Sequence, residues 1–195
     1  EAGEATHYSG IFYDISERKT VEERLDRLAH YDVLTGLPNR SLLMDRLEQL
    51  AEHADRDGGR VGVLYLDLDH FKEVNDTLGH AAGDALLKEA ARRMKNCLRA
   101  IDTVARLGGD EFVVLVPDVV QRDDLAQVAR KIVDALLPPC EIDGRSAVTV
   151  ASIGISIYPD DGSDVHDVVQ HADAAMYQVK QAGRGFYRFF DAGSR

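Results

Sequence analysis

The hydrophobic positions of this chain change period several times, and each change marks an element. VGVLYLDLD (61–69) is apolar at almost every position until its aspartates, which predicts a central strand covered on both faces. After the breakers of LTGLPNR, Leu42, Leu43, Leu47 and Leu50 recur at helical spacing and predict a helix over about 41–53. A long helix is expected from Asp84 to about Ala100, with Leu87, Ala90, Ala91, Met94 and Leu98 on its apolar side. Another carries Leu125, Val128, Ala129, Ile132, Val133 and Leu136 and stops at Pro138 and Pro139, and a further one spans about 165–181. Strands at 103–107 and 111–116 flank Gly108, Gly109 and Asp110, a hairpin with its glycines at the bend. Asp143 and Gly144 turn a further hairpin into AVTVASIGISIYP, and FYRFF forms a short closing strand. Between the acid strand and the long helix, FKEVNDTLGHAAGDALL (71–87) reads as a polar, glycine-containing connector. Interleaved helices and strands with several hairpins predict an α/β (α+β) fold, a mixed or mostly antiparallel sheet with helices packed around it.

The first residues read differently. Residues 1–16 hold a strand-like stretch around Tyr8 to Ile15, the last strand of a domain otherwise missing, and residues 17–31 are charged and helical. Val21, Leu25 and Leu28 form either the seam of a two-helix contact or the buried stripe of a helix lying on its own domain. The division expected is therefore 1–31 as a connector and 32–195 as the main domain. Glu1 in place of Met, without a signal peptide's basic and apolar regions, suggests a piece of something longer.

Composition narrows the class. With 195 residues, 45% of them hydrophobic, the chain is long enough for one sizeable core. No apolar run approaches the ~20 residues that cross a bilayer. The 34 acidic against 23 basic residues, a net charge of -11, argue against nucleic acid and against membrane contact, since both need a basic footprint. Cys97 and Cys140 have no metal-ligand spacing and are expected reduced, as in a cytoplasmic protein, although the parent could still be attached to a membrane.

Chemistry concentrates in three places. Asp67 and Asp69 close the buried strand and alternate onto one face, with Leu68 between them. A strand-end aspartate also caps turns, but two carboxylates ending an apolar strand point to more. In RLGGDEFVVL (106–115) the glycines let backbone approach a ligand while Asp110 and Glu111 project, where a plain turn would need no acids. If the hairpin lies beside the acid strand, Asp67 and Asp110 meet, and like charges ~4 Å apart repel by about 4 kcal/mol at an effective dielectric of 20, so a cation is required. Oxygen ligands with places left for phosphates suit magnesium. In the connector, Lys72 can reach a phosphate, and Asn75 and Asp84 can read a nucleobase edge. Asp84 after Gly83 is equally a helix cap, and Asn75 with Asp76 a turn. No phosphate loop of the GxxxxGK[ST] kind, no GxGxxG after a strand, no HExxH and no GxSxG is present.

DVLTGLPNR, DLDHFKEVNDTLGHAAGDALL, RLGGDEFVVL, SIGIS and DAAMYQVKQAGR, in this order, resemble a GGDEF domain, a diguanylate cyclase, over about Asp32 to Phe190. GIFYDISERKTVEERL resembles the end of a PAS sensor and the helix that joins such sensors to GGDEF domains. The resemblance implies a palm-like fold and the condensation of two GTP into cyclic di-GMP and two pyrophosphates by a homodimer. By residue, it implies magnesium, or manganese, on Asp67, Asp110 and the Leu68 carbonyl, and deprotonation of the ribose 3' hydroxyl by Asp110 or Glu111. Lys72, Lys180 and Arg184 would hold phosphates, Asn75 and Asp84 would read guanine, and His80 lies in the same substrate motif. RAID, Arg99 to Asp102, resembles the RxxD inhibitory site for product, with Arg130 contributing from the same side. His70, where an aromatic is common, and Gly185, where Asn is frequent, depart from the family pattern. The competing readings are a noncatalytic GTP or cyclic di-GMP sensing module, and a two-metal nuclease or polymerase palm, which the acidic balance opposes.

Overall fold

The computed structural model describes residues 24–142 and 144–193. In chain order its elements are α1 (helical residues 24–30), α2 (Arg40–Asp57), β1 (Val61–Leu68), α3 (Phe71–Leu78), α4 (His80–Cys97), β2 (Thr103–Gly108), β3 (Glu111–Val116), α5 (Arg122–Leu136), β4 (Cys140–Ile142), β5 (Arg145–Ala147), β6 (Ala151–Tyr158), α6 (Val165–Ala182) and β7 (Tyr187–Phe189). The expected strand at Tyr8 to Ile15 and the seam residue Val21 lie outside the described residues. Leu25 and Leu28 on α1 are 60% and 51% exposed, so these two positions are not buried against the described domain.

The sheet has the order β2-β3-β1-β6-β7 and is antiparallel except for the β6–β7 pair. β1 is its centre and is buried along its whole length, as an unbroken apolar run predicts. One face of β1, Leu64, Leu66 and Leu68, packs with the apolar stripes of α4 and α5. The other, Val61, Val63 and Tyr65, packs with α2 and α6. Asp67 continues this second face by the period of two, which turns it toward α6.

Two expectations about the connector are corrected. Residues 71–78 form helix α3 and the long helix starts at His80, not Asp84. Phe71, Val74 and Leu78 form a stripe that packs on a small satellite core of Ala82, Leu86, Cys140, Ile142 and Ala147, and this burial stabilises a helix that polar content disguised. Asp84 is therefore inside α4 instead of capping it, and Asn75 and Asp76 sit in α3 instead of a turn. The hairpin into the last long strand is also divided. β4 and β5 pair as a separate two-stranded unit, and β6 belongs to the main sheet.

α6 reaches the sheet because β6 carries glycine at the crossing. A Cβ on Gly154 would lie 1.9 Å from the Ala172 carbonyl oxygen and 2.2 Å from the Met176 nitrogen. Backbone contact at this point sets where the C-terminal turn of α6 ends, and with it Lys180. Cys97 and Cys140 are both free thiols.

Candidate functional site

Strand pairing brings the acids together. β1 and β3 pair with Asp67 opposite Glu111, and the Leu68 N–H donates to the Asp110 carbonyl at 3.2 Å. Gly108 and Gly109 turn this hairpin with φ of 148° and 52°, the latter in the left-handed region. Asp67, Asp110, Lys72, Lys180 and Arg184 line one open cleft of about 460 Å³, together with Asp69 and Asp76. Lys72 stands in the first turn of α3, which starts directly after the acid strand.

Charge in this cleft is tense. Lys180 Nζ lies 2.6 Å from Asp67 Oδ2. Burial nevertheless pushes the Asp67 carboxyl up to about 6: desolvation, reinforced by the charges of Asp110 and Asp69, outweighs the pull of Lys180. A second cation would relieve this directly. No group of three or more His, Cys, Asp or Glu side chains is arranged to hold a metal among the described residues. A divalent cation here would thus take the Asp67 and Asp110 carboxylates and complete its shell with other oxygens, the Leu68 carbonyl and ligand phosphates among the candidates, an arrangement that suits magnesium's habit of one or two carboxylates plus phosphates.

Asp69 separates from Asp67 in role. It is 2% exposed and accepts from Ser152 Oγ at 2.8 and 2.9 Å and from the Gly185 N–H at 3.2 Å, with Arg184 Nε 3.6 Å away. It anchors the turn after α6 that presents Arg184, whose own φ is 64°. Glu111 does not line the cleft. Its carboxylate is hydrogen-bonded to Tyr65, whose phenol is raised by burial first and by the Glu111 charge second.

Arg106, in RLGGDEFVVL, has a role that its motif does not announce. Its Nη1 binds both oxygens of Asp32, at 2.9 and 3.0 Å, while Nε and Nη2 bind the Gly109 carbonyl at 3.0 and 2.8 Å. Burial pushes the Asp32 carboxyl up, but hydrogen bonds from Thr35 and Arg106 together hold it below its ordinary value. The turn that follows α1 is thus tied to the glycine turn between β2 and β3. Asp32 followed by Thr35 is a readable local turn, since Thr35 donates to Asp32 from both its N–H and its hydroxyl. Its partner lies 74 residues on, and no local pattern names it.

The base-reading candidates lie outside the lining of that cleft, on α3 and the start of α4. Asn75 follows Lys72 by one helical turn on the same side of α3. His80 and Asp84 are one turn apart on α4, both exposed. None of the three side chains makes a hydrogen bond or ion pair with another described residue. Elsewhere, Arg99 and Asp102 line a groove of about 300 Å³. The Asp102 side chain is 1% exposed and accepts from the Arg99 N–H and guanidinium, leaving that 55% exposed guanidinium as the group on offer. Arg130 does not join them: it turns to β7, with Nε 3.2 Å from the Tyr187 hydroxyl and its guanidinium 6.0 Å from the ring centroid.

Comparison with known proteins matches residues 29–185 to the family described as diguanylate cyclase, GGDEF domain. The chain is 49% identical over 168 residues to the bifunctional diguanylate cyclase/cyclic di-GMP phosphodiesterase MucR of Pseudomonas aeruginosa, covering 86% of this chain and 24% of MucR. It is 42% identical over 177 residues to the cyclic di-GMP phosphodiesterase PdeR of Escherichia coli, covering 91% of this chain and 26% of PdeR. Among solved structures, the coiled coil and GGDEF domain of DgcB from Caulobacter crescentus in complex with c-di-GMP is similar at a TM-score of 0.81 and 27% identity, covering 90% of this chain and 93% of that one. The chain spans about a quarter of the length of the two curated relatives.

Proposed function

Because the chain belongs to the GGDEF diguanylate cyclase family, we propose that it condenses two GTP into cyclic di-GMP and two pyrophosphates. The observation that carries this reading is the single cleft shared by Asp67, Asp110, Lys72, Lys180 and Arg184, one helical turn from Asn75. Acids able to hold a cation and bases able to hold a triphosphate are then adjacent, and base readers continue from them.

In each step the 3' oxygen of one nucleotide bonds to the α-phosphorus of the other, pyrophosphate leaves, and the hydroxyl proton passes to Asp110, the one of the two candidate acids that lines the cleft. Magnesium, or manganese in its place, would screen the phosphates and polarise the attacked phosphorus when bound. Lys72, Lys180 and Arg184 neutralise the triphosphate, and Lys180 leaves Asp67 free to serve as a ligand when it does so. Asn75, Asp84 and His80 hold the base. One domain holds one GTP, so turnover needs a homodimer, and pairing α1 across subunits would raise the effective concentration of one site for the other. Product bound at Arg99 and Asp102 would hold the two domains apart, a shift of population toward an unproductive arrangement. The domain is expected to work in the cytoplasm.

A second reading has an observation of its own: a relative as similar as PdeR is named a phosphodiesterase alone. A noncatalytic GTP or cyclic di-GMP sensing module would keep this fold. The deciding measurement is chromatography of the products formed from GTP and magnesium over a range of protein concentrations. The cyclase reading expects cyclic di-GMP with a rate per protein that rises with concentration. GTP binding without product at every concentration would leave the sensing module in its place. Followed to late times, the same assay should show Arg99→Ala continuing after the unsubstituted chain has slowed.

A further inference from the structure

Asn75 is half-buried on α3, yet its carboxamide, with one acceptor and two donors, makes no hydrogen bond among the described residues. Its backbone carbonyl is engaged by the Gly79 N–H at 2.9 Å, so only the side chain is left over. Packing alone holds it. The surface it packs on is Gly83 of α4: a Cβ there would lie 2.0 Å from Asn75 Oδ1, 2.9 Å from Cγ and 3.2 Å from Phe71 Cζ. Gly83 is buried in the second turn of an ordinary helix and has no positive φ. Its backbone therefore does not need glycine, and glycine is disfavoured in a helix interior relative to alanine. The contact with Asn75 is what the missing side chain provides.

We propose that Gly83 is a positioning residue for base recognition, whose missing side chain lets α4 seat the Asn75 carboxamide against the guanine edge. The inference rests on the reading that Asn75 contacts the base and deepens it. An added methyl meets the far end of a short polar side chain, which can rotate away, more than it meets backbone. The fold then survives while the amide loses its aim. Phosphate binding, which depends on Lys72, Lys180 and Arg184, is left alone.

The test compares Gly83→Ala, Asn75→Ala and the double variant by calorimetric binding of GTP and, separately, of inorganic tripolyphosphate, both with magnesium. It also takes steady-state turnover and melting temperature. Gly83→Ala is expected to weaken GTP binding roughly tenfold, the size of one lost neutral hydrogen bond, while tripolyphosphate binding stays the same. KM should rise with kcat nearly unchanged, and the melting temperature should hold or increase. In the Asn75→Ala background the Gly83 change should add nothing, because no amide remains to displace. GTP affinity unchanged in Gly83→Ala but weakened in Asn75→Ala overturns the role of Gly83 and leaves base reading standing. GTP affinity unchanged in Asn75→Ala removes base reading by that residue and the inference with it. Additive losses, or a Gly83→Ala chain that fails to fold, would make Gly83 a packing residue instead.

Discussion

The acid cleft and the segment that carries Asn75, His80 and Asp84 are built on opposite principles. In the cleft the acids that close the buried strand already have partners, Lys180 on Asp67 and Ser152 and Gly185 on Asp69, and Arg106 holds the carbonyl of the turn that carries Asp110. In the other segment Asn75, His80 and Asp84 have none among the described residues, and Asn75 is held by van der Waals contact with a glycine. Charges near a buried strand end must be compensated before a ligand arrives, because desolvation is paid in the folded protein itself. Neutral or exposed side chains can wait unpaired, and under the proposed function their unmet hydrogen bonds would become selectivity for one base.

This contrast predicts effects of different size and kind. Asp67→Asn should lower cyclic di-GMP formation by about 10²–10³ in kcat, the usual cost of losing an electrostatic stabiliser at a reacting phosphate, as read by product chromatography. Asp84→Ala should mainly raise KM, by roughly tenfold for one charge-assisted hydrogen bond, with kcat at saturation little altered. Equal losses of kcat from the two substitutions would erase the difference between the two regions.

The pH response should separate them further. With the Asp67 carboxyl held at about 6, the proton competes with a cation as pH falls through that value. Magnesium-dependent turnover should then decline about tenfold per unit below it, over the range where one proton is taken up. The stability sign runs the other way. A raised carboxyl contributes stability that is fully present below the ordinary value of 3.8 and is lost as pH rises through about 6, so the metal-free chain should melt slightly earlier at pH 7 than at pH 5. Asp67→Asn should remove this slope, and a slope that persists would assign it to another group.

Much of the molecule is legible along the chain. The unbroken run of β1, the stripes of α2, α5 and α6, and the glycines before Asp110 each report a local period or turn. Of the candidate acids and bases that motif order supplies, Asp67, Asp110, Lys72, Lys180 and Arg184 lie on one cleft, whereas Glu111 turns to Tyr65. α3 is hard to read along the chain because its stripe of Phe71, Val74 and Leu78 is only three residues deep and packs on a minor core, so polar residues dominate the segment. Arg130 was expected beside Arg99 from its position one helix later, but the aromatic ring of Tyr187 takes its guanidinium.

By itself the sequence determined the family, the elements with strong periodicity and the set of candidate side chains, because these depend on residue type and near-neighbour spacing. The tertiary structure alone decided that Asp69 braces a turn while Asp67 faces Lys180, that Arg106 joins Asp32 to the Gly109 carbonyl, and that Gly83 lies under Asn75. Each of these is a contact between segments distant in the chain. Burial and partner choice there are set by the packing of whole elements, which no local pattern encodes.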